Sequence, residues 1–383
     1  MIAITNTTFL RCRRKVLLIR HGIGVNNHCP EGFEQMPVLL LQHGGLTSLT
    51  GKTGLALLRH RRGPIAAVID PDHAQGSLVE ITGIDRSVPI VRDLAAAMTH
   101  RPAVAVVGLA PSGGVLPAPL RRDALAALQA GLNLASGLHT QLGEDPEFKA
   151  ACHAGQWIWD LRQEPPTVQV GQARAAALSC KRVLAVGTDM AVGKMSACLA
   201  LQAAAERHEQ VCRFVGTGQA GILISGRGVP LDAVRVDYAA GAVEAAVLEA
   251  GTGLSEQDLL VVEGQGSLCH PGSTATLPLM RGSQPTALLM VHRAFQTTIG
   301  RLPEVPLPPL QECVSLCESL AAIARPRGSG PAPKVQALAL NTAGLSTEEA
   351  QRSIRSCEDA LGLPCDDPIR NQADGLLEVF LNR

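Results

Sequence analysis

The sequence predicts an α/β fold with mainly parallel sheets, in two units at residues 1–163 and 182–383 joined by a linker at 164–181. Three observations carry this. Short continuous apolar runs such as Val38–Leu41, Ile65–Ile69, Val104–Val107 and Leu259–Val262 have the length and composition of strands buried on both faces. Stretches of helical period alternate with them, as in a parallel sheet covered by helices. Finally, 46% hydrophobic and 18% charged residues in a 383-residue chain supply apolar surface for more than one core.

Taken in order, the acid-free first thirty residues carry Arg11, Arg13, Arg14, Lys15 and Arg20 and read as a basic leader running into a strand at 16–19, with a transit peptide as the alternative. The strands Val38–Leu41, Ile65–Ile69 and Val104–Val107 follow, with helices at 53–60, 93–98 and 121–132. Leu125, Leu128 and Leu132 lie at helical spacing in the last of these. The segment 157–162 closes the first unit. Pro165-Pro166 cannot continue a helix and sets the linker. The second unit opens with a strand at 182–186, followed by strands at 211–215, Leu259–Val262, 287–291 and 335–340. Helices lie at 241–250 and Leu310–Ala324. Ser346 with Glu349 three residues on reads as a capping box at the head of another helix. The Pro-rich stretch 302–309 reads as a surface loop.

Composition narrows the partners. Lys+Arg and Asp+Glu are each 34, so the overall charge favours neither nucleic acid nor an anionic membrane. Aromatics at 2% argue against base-stacking platforms. No apolar run approaches the roughly 18 residues needed to span a bilayer. Eleven cysteines without any Cys-x-x-Cys pair give no disulfide or zinc framework, the pattern of a reduced cytoplasmic protein. These features point to a small-molecule substrate and no resident metal. Assembly of identical chains is expected from the domain type.

The strongest motif is the run from Gly187 through Thr188, Asp189 and Val192 to Gly193, Lys194, Met195 and Ser196. A buried strand, a short loop and a lysine opening an Ala-rich helix occur in sequence. Such a loop presents successive backbone N–H groups, a helix dipole and one full positive charge to a phosphate. It departs from the common pattern twice. Five residues separate the glycines rather than four, and Met195 stands where a hydroxyl usually binds Mg²⁺, with Ser196 one place late. A rival, Gly45 to Gly51-Lys52-Thr53, has the same gap and does have the hydroxyl. Its only acid in a matching position is Asp70, so it reads as a helix-start turn or a substrate-anion contact.

Strand-end residues of a parallel sheet line the ligand crevice. Glu263 ends one such strand and is expected close to Lys194, as base, metal-holder through water, orienting group or ion-pair partner. Gln265, Gly266, Ser267 and His270 follow on the same turn. Thr217 and Gln219, Asp237, and Asn341 sit at further expected strand ends. In the first unit, Gly113, Gly114 and His139 occupy comparable loops.

Gly187-Thr-Asp-x-x-Val-Gly-Lys, the acid-Gly-x-Gly turn at Glu263 and the late Asn341 resemble dethiobiotin synthetase and its relatives, which place these motifs at ATP. Over most of the chain the closer resemblance is to a two-domain family, long of unknown function, that includes D-glutamate N-acetyltransferase. It rests on Asp70 with Gly76, Gly108-x-Ala-Pro-x-Gly-Gly, Ser136-Gly-Leu-His139, Asp160-x-Arg162, the lysine loop, Thr217-Gly-Gln, Asp237-x-x-x-Gly241 and Glu263-Gly-Gln-Gly-Ser-Leu. The resemblance implies a Rossmann-like N-terminal domain, a P-loop NTPase-like C-terminal domain and acetyl transfer from acetyl-CoA to an acidic amino acid. In that chemistry the loop around Lys194 grips cofactor phosphates, and Glu263 or His270 is the base. Amides of 265–267 stabilise the oxyanion, and Lys52 and Arg162 meet the substrate carboxylates. A Mg·ATP-dependent ligase or carboxylase and a non-catalytic nucleotide or CoA binder are the alternatives.

Overall fold

The computed structural model describes residues 24–26, 29–110 and 116–382; the expected strand at 16–19 and the candidate residues Gly113 and Gly114 lie outside them. The N-terminal unit is one seven-stranded sheet. Its strands are β1 (Gly24–Asn26), β2 (Val38–Leu41), β3 (Ile65–Ile69), β4 (Ile90–Val91), β5 (Val104–Val107), β6 (Asn133–Ser136) and β7 (Trp157–Asp160). They run in the order β1-β7-β6-β5-β2-β3-β4, every neighbouring pair parallel. Helices α1 (Lys52–His60), α2 (Leu78–Thr82), α3 (Leu94–Met98), α4 (Ala118–Gln129) and α5 (Pro146–Ala151) connect them. Leu39, Leu41, Val38 and Leu40 alternate between two separate apolar clusters, one on each face of the sheet, which is why this strand reads as an unbroken apolar run.

The C-terminal unit repeats the plan. Its chain order is β8 (Lys181–Gly187), α6 (Lys194–Arg207), β9 (Cys212–Val215), α7 (Gln219–Ser225), α8 (Val236–Gly251), β10 (Leu259–Val262), α9 (Thr276–Ser283) and β11 (Ala287–Arg293). Then come β12 (Thr298–Ile299), β13 (Leu302–Pro306), α10 (Leu310–Ala324), β14 (Lys334–Asn341), α11 (Thr347–Leu361), β15 (Cys365–Asp366) and α12 (Asp374–Leu381). The parallel six-stranded order is β15-β14-β11-β8-β10-β9. β8 therefore lies between β10, reached by crossovers on one side, and β11, reached on the other. That reversal opens a crevice at the carboxyl end of β8, where the lysine loop begins. No helix among the described residues is long and apolar enough to cross a membrane.

Three sequence expectations change. Residues 302–306 are not loop but β13, paired antiparallel with β12; Pro303 and Pro306 are tolerated because a two-stranded ribbon has free edges. Asp237 is not at a strand end but exposed in the first turn of α8, where its charge favours the helix dipole. Part of the stretch expected as linker is packed rather than free: Gln172 and Arg174 donate backbone N–H bonds to the fully buried carboxylate of Glu244 in α8, and Arg174 adds its side chain. The capping box is present, Ser346 Oγ accepting from Glu349 N and Glu349 Oε2 from Ser346 N.

The two units meet along α1 and α7. Gln219 Nε2 donates to Thr53 Oγ1 at 2.6 Å, and His60 Nε2 lies 3.1 Å from Ser196 Oγ. Arg61 is the central bolt. Buried, with its guanidinium over the Phe33 ring, it donates to the carbonyls of Phe33, Met36 and Leu223. Burial lowers its pKa to about 10, leaving it charged at neutral pH. Arg61→Met, which keeps volume but removes the donors, is expected to cost about 3 kcal/mol or more in denaturant unfolding, because three carbonyls lose a charged partner. An unchanged transition midpoint would contradict this role.

Candidate functional site

β8 ends at Gly187 and the chain turns through residues 188–193 into α6. Ala191 and Gly193 both take positive φ, 56° and 116°, and at 116° a side chain is strained whatever the space. The loop is braced from three sides. Thr188 Oγ1 lies 2.9 Å from His292 Nδ1 on β11. The Asp189 carboxylate accepts the N–H of Met190 and, from beyond β11, Gln296 Nε2 and Gly300 N, each at 2.6 Å. Asn341 Nδ2 donates to Val192 O at 2.9 Å. The first intrahelical bond of α6 is Ala197 N to Gly193 O, and no described group accepts from the N–H groups of Val192, Gly193, Lys194 or Met195. A run of unpaired donors at the head of a fourteen-residue helix has the arrangement and dipole that favour an anion.

Lys194 is buried, and its Nζ donates to Asp189 O at 2.8 Å. Desolvation lowers its pKa from 10.5 to about 8, against the opposing pull of Asp189 and Glu263. Its stem crosses the end of β10: a Cβ on Gly264 would stand 2.8 Å from Lys194 Cδ and 1.8 Å from Ala185 O, so only glycine fits there. Ser196 does not replace the missing hydroxyl at the helix head, since its Oγ is engaged by His60 of the other unit. The residues thus fit an anion but offer no hydroxyl at the usual Mg²⁺ position.

Glu263 follows the last residue of β10, the strand beside β8, and is buried. Its Oε2 accepts from Thr217 N at 2.8 Å and Gly218 N at 3.3 Å, while Thr217 Oγ1 donates to its backbone carbonyl. No described donor serves Oε1. Burial raises the pKa from 4.5 to about 7, with the two amides and Lys194 pulling the other way. This is a carboxylate with one oxygen fixed and one available, poised near neutrality.

The other candidates fall into three groups. Ser267, Gln219 and Asp70 are structural braces. Ser267 Oγ donates to Thr188 O and its N–H to Ser273 Oγ, so that amide is not free for an oxyanion; those of Gln265 and Gly266 have no acceptor among the described residues. Gln219 bridges the units. Asp70, fully buried, accepts from Gly44 N and Leu46 N, with His73 Nδ1 3.3 Å from its Oδ1. A second group makes bonds of its own in the structure. Arg162 pairs with Asp232 across the interface rather than awaiting a carboxylate. Asn341 braces the loop, its Nδ2 donating to Val192 O and its Oδ1 accepting from the N–H of Ala343. His270 turns back on its own loop, its Nδ1 accepting from Gly272 N, and no bond joins it to Glu263. Lys52 and His139 form the third group. Both are exposed, and Lys52 makes no ion pair among the described residues.

Sequence reasoning missed Cys269. It is half-buried, its N–H bonded to Ser267 Oγ and its Sγ 3.6 Å from Cys313 Sγ on α10. The hydrogen bond from Cys313 lowers its pKa to about 7, whereas burial raises Cys198, Cys212 and Cys317. Nothing in the sequence links two cysteines so far apart.

Two outcomes follow from these shifts. The Glu263 carboxyl binds its proton more tightly folded than unfolded, so its contribution is full below about pH 4.5 and is lost as pH rises through about 7. Between those limits the wild type should lose on the order of 3 kcal/mol that Glu263→Gln does not; parallel stability–pH curves from chemical denaturation would refute the shift. Limited iodoacetamide labelling at pH 7.5 should modify Cys269 before Cys198, Cys212 or Cys317, read by peptide mass spectrometry.

Comparison with known proteins places this geometry. Residues 71–164 match the Rossmann-like domain and residues 169–377 the P-loop domain of a family described as a domain of unknown function, DUF1611. A D-glutamate N-acetyltransferase of Tritonibacter scottomollicae is 36% identical over 313 residues, 81% of this chain and 90% of that one. A second, from a Pseudoalteromonas species, is 33% identical over 274 residues, 71% and 79% of the two chains. The crystal structure of a DUF1611 family protein from Anabaena variabilis superposes with a TM-score of 0.85 at 49% identity, over 91% of this chain and all of that one. With its Rossmann-like and P-loop domains matched in order, this chain belongs to the DUF1611 family.

Proposed function

We propose that this protein is an N-acyltransferase that moves an acetyl group from acetyl-CoA to the amine of an acidic amino acid, D-glutamate being the acceptor in the names of its two relatives. The observation that carries the reading is the pairing of an anion-gripping helix head, without a Mg²⁺ hydroxyl, with a carboxylate tuned close to neutrality. Coenzyme A needs such a grip for its pyrophosphate and needs no hydrolysis. The unpaired N–H groups at 192–195 and the Lys194 ammonium hold that pyrophosphate. Binding an anion there offsets the desolvation of Lys194 and favours its charged form.

Glu263 Oε1 takes one proton from the substrate ammonium. The freed amine nitrogen attacks the thioester carbonyl carbon, and amides of Gln265 and Gly266 meet the oxyanion. As the C–N bond forms and the C–S bond breaks, the departing thiolate takes the second nitrogen proton. The products are the N-acetyl amino acid and the free thiol, and Glu263 returns its proton to solvent. Lys52 meets a substrate carboxylate. Its neighbour Thr53 is bonded to Gln219, two residues from Thr217, whose amide holds Glu263, so α1 brings this cation to the Glu263 side of the crevice.

Turnover assays test each part. Calorimetry should show acetyl-CoA binding and Mg·ATP not competing, and Lys194→Ala should weaken acetyl-CoA at least tenfold. Glu263→Gln should lower kcat by about 10²–10⁴-fold, and kcat/KM should rise with pH through about 7 as Glu263 loses its proton. His270→Ala should turn over normally. Strong Mg·ATP binding with no acetyl-CoA binding would favour a ligase instead, and full activity of Glu263→Gln would remove the base.

A further inference from the structure

Asn341 braces the phosphate loop at Val192 O. A cavity of ≈ 350 Å³ opens where residues 189–191 of that loop face the β12–β13 hairpin. This is within the size range of small-molecule sites, and its loop residues Asp189, Met190 and Ala191 lead directly along the chain to the unpaired donors at 192–195. The hairpin is tied to the loop rather than merely near it, through Gln296 and Gly300 on the Asp189 carboxylate. That carboxylate is the one acid of the lining, is buried and accepts three N–H bonds, so its charge is already answered. Against it stand two arginines. Arg293 donates to Ala191 O and Arg301 lies in the hairpin turn before β13; both are exposed and neither has a carboxylate partner among the described residues. Met190, 41% exposed, adds an apolar face. A doubly cationic rim beside an apolar wall suits a phosphorylated nucleoside.

Resting on the acetyl-CoA reading, we propose that this cavity seats the 3′-phosphoadenosine end of coenzyme A, with Arg293 and Arg301 on its 3′-phosphate. The pyrophosphate then lies at the α6 head and the pantetheine runs on toward Glu263. The hairpin acts as the specificity element, since dephospho-coenzyme A lacks the group the arginines meet.

The test is calorimetric titration of the full chain with acetyl-CoA, acetyl-dephospho-CoA, adenosine 3′,5′-bisphosphate and Mg·ATP, on wild type and on Arg293→Ala/Arg301→Ala, with far-UV circular dichroism and melting to confirm folding. Wild type should prefer acetyl-CoA to its dephospho analogue by about tenfold or more, and adenosine 3′,5′-bisphosphate should compete. The double variant should lose that preference while keeping its affinity for the dephospho analogue. Equal binding of the two thioesters by wild type, or a preference undiminished in the variant, overturns the subsite and leaves the acyltransferase reading standing. Mg·ATP binding without acetyl-CoA binding overturns both.

Discussion

Lys194 and Glu263 leave water together at the carboxyl ends of two adjoining parallel strands, and neither receives a full ion-pair partner in exchange. The lysine donates to a backbone carbonyl, and the glutamate accepts two backbone amides through one oxygen. Their shifts therefore run toward each other, to about 8 and about 7. A fold that maximised stability alone would neutralise or expose such groups. Holding them requires the glycine at 264, the brace from Ser267 to Thr188 and the tight bonding of Asp189, and each of these also shapes the crevice. On the proposed reading, an anion at the α6 head offsets the desolvation of Lys194, and the same burial that lowers Lys194 raises Glu263 toward neutrality.

The N-terminal unit matters to this site through one helix. α1 touches Gln219 near its start and Ser196 at its end, so it spans from the Glu263 side of the crevice to the first turn of α6. Burial lowers the pKa of His60 to about 4, so that contact is between neutral groups at physiological pH and does not place a second cation beside the phosphate loop. Arg61 then fixes the helix against both units through three carbonyls. Ser196, one place after the position where the loop motif usually carries a hydroxyl, is bonded to His60 of the other unit.

Buried strands were the most legible feature, because burial on both faces forces a contiguous apolar run: Val38–Leu41, Ile65–Ile69, Val104–Val107 and Leu259–Val262 have the same limits in the structure. The β12–β13 ribbon was not legible, since prolines signal a loop and only a cross-strand partner says otherwise. Asp237 looked like a strand end because Val236 precedes it, yet α8 starts there. Among the candidate residues, those on strand ends kept their places, while Arg162, His270 and Asn341 acquired partners that local sequence does not show.

The sequence by itself determined two parallel α/β sheets and the lysine loop, since periodicity, glycine placement and strand-terminal acids are local properties that water and backbone geometry enforce segment by segment. Tertiary structure alone decided which polar groups remain free. Asn341, Ser196 and Arg162 are engaged by residues 149, 136 and 70 positions away, while Glu263 Oε1 and the amides at 192–195 are left open. Availability depends on the sum of long-range hydrogen bonds and burial around a group, and that sum exists only once the strands and both units are packed.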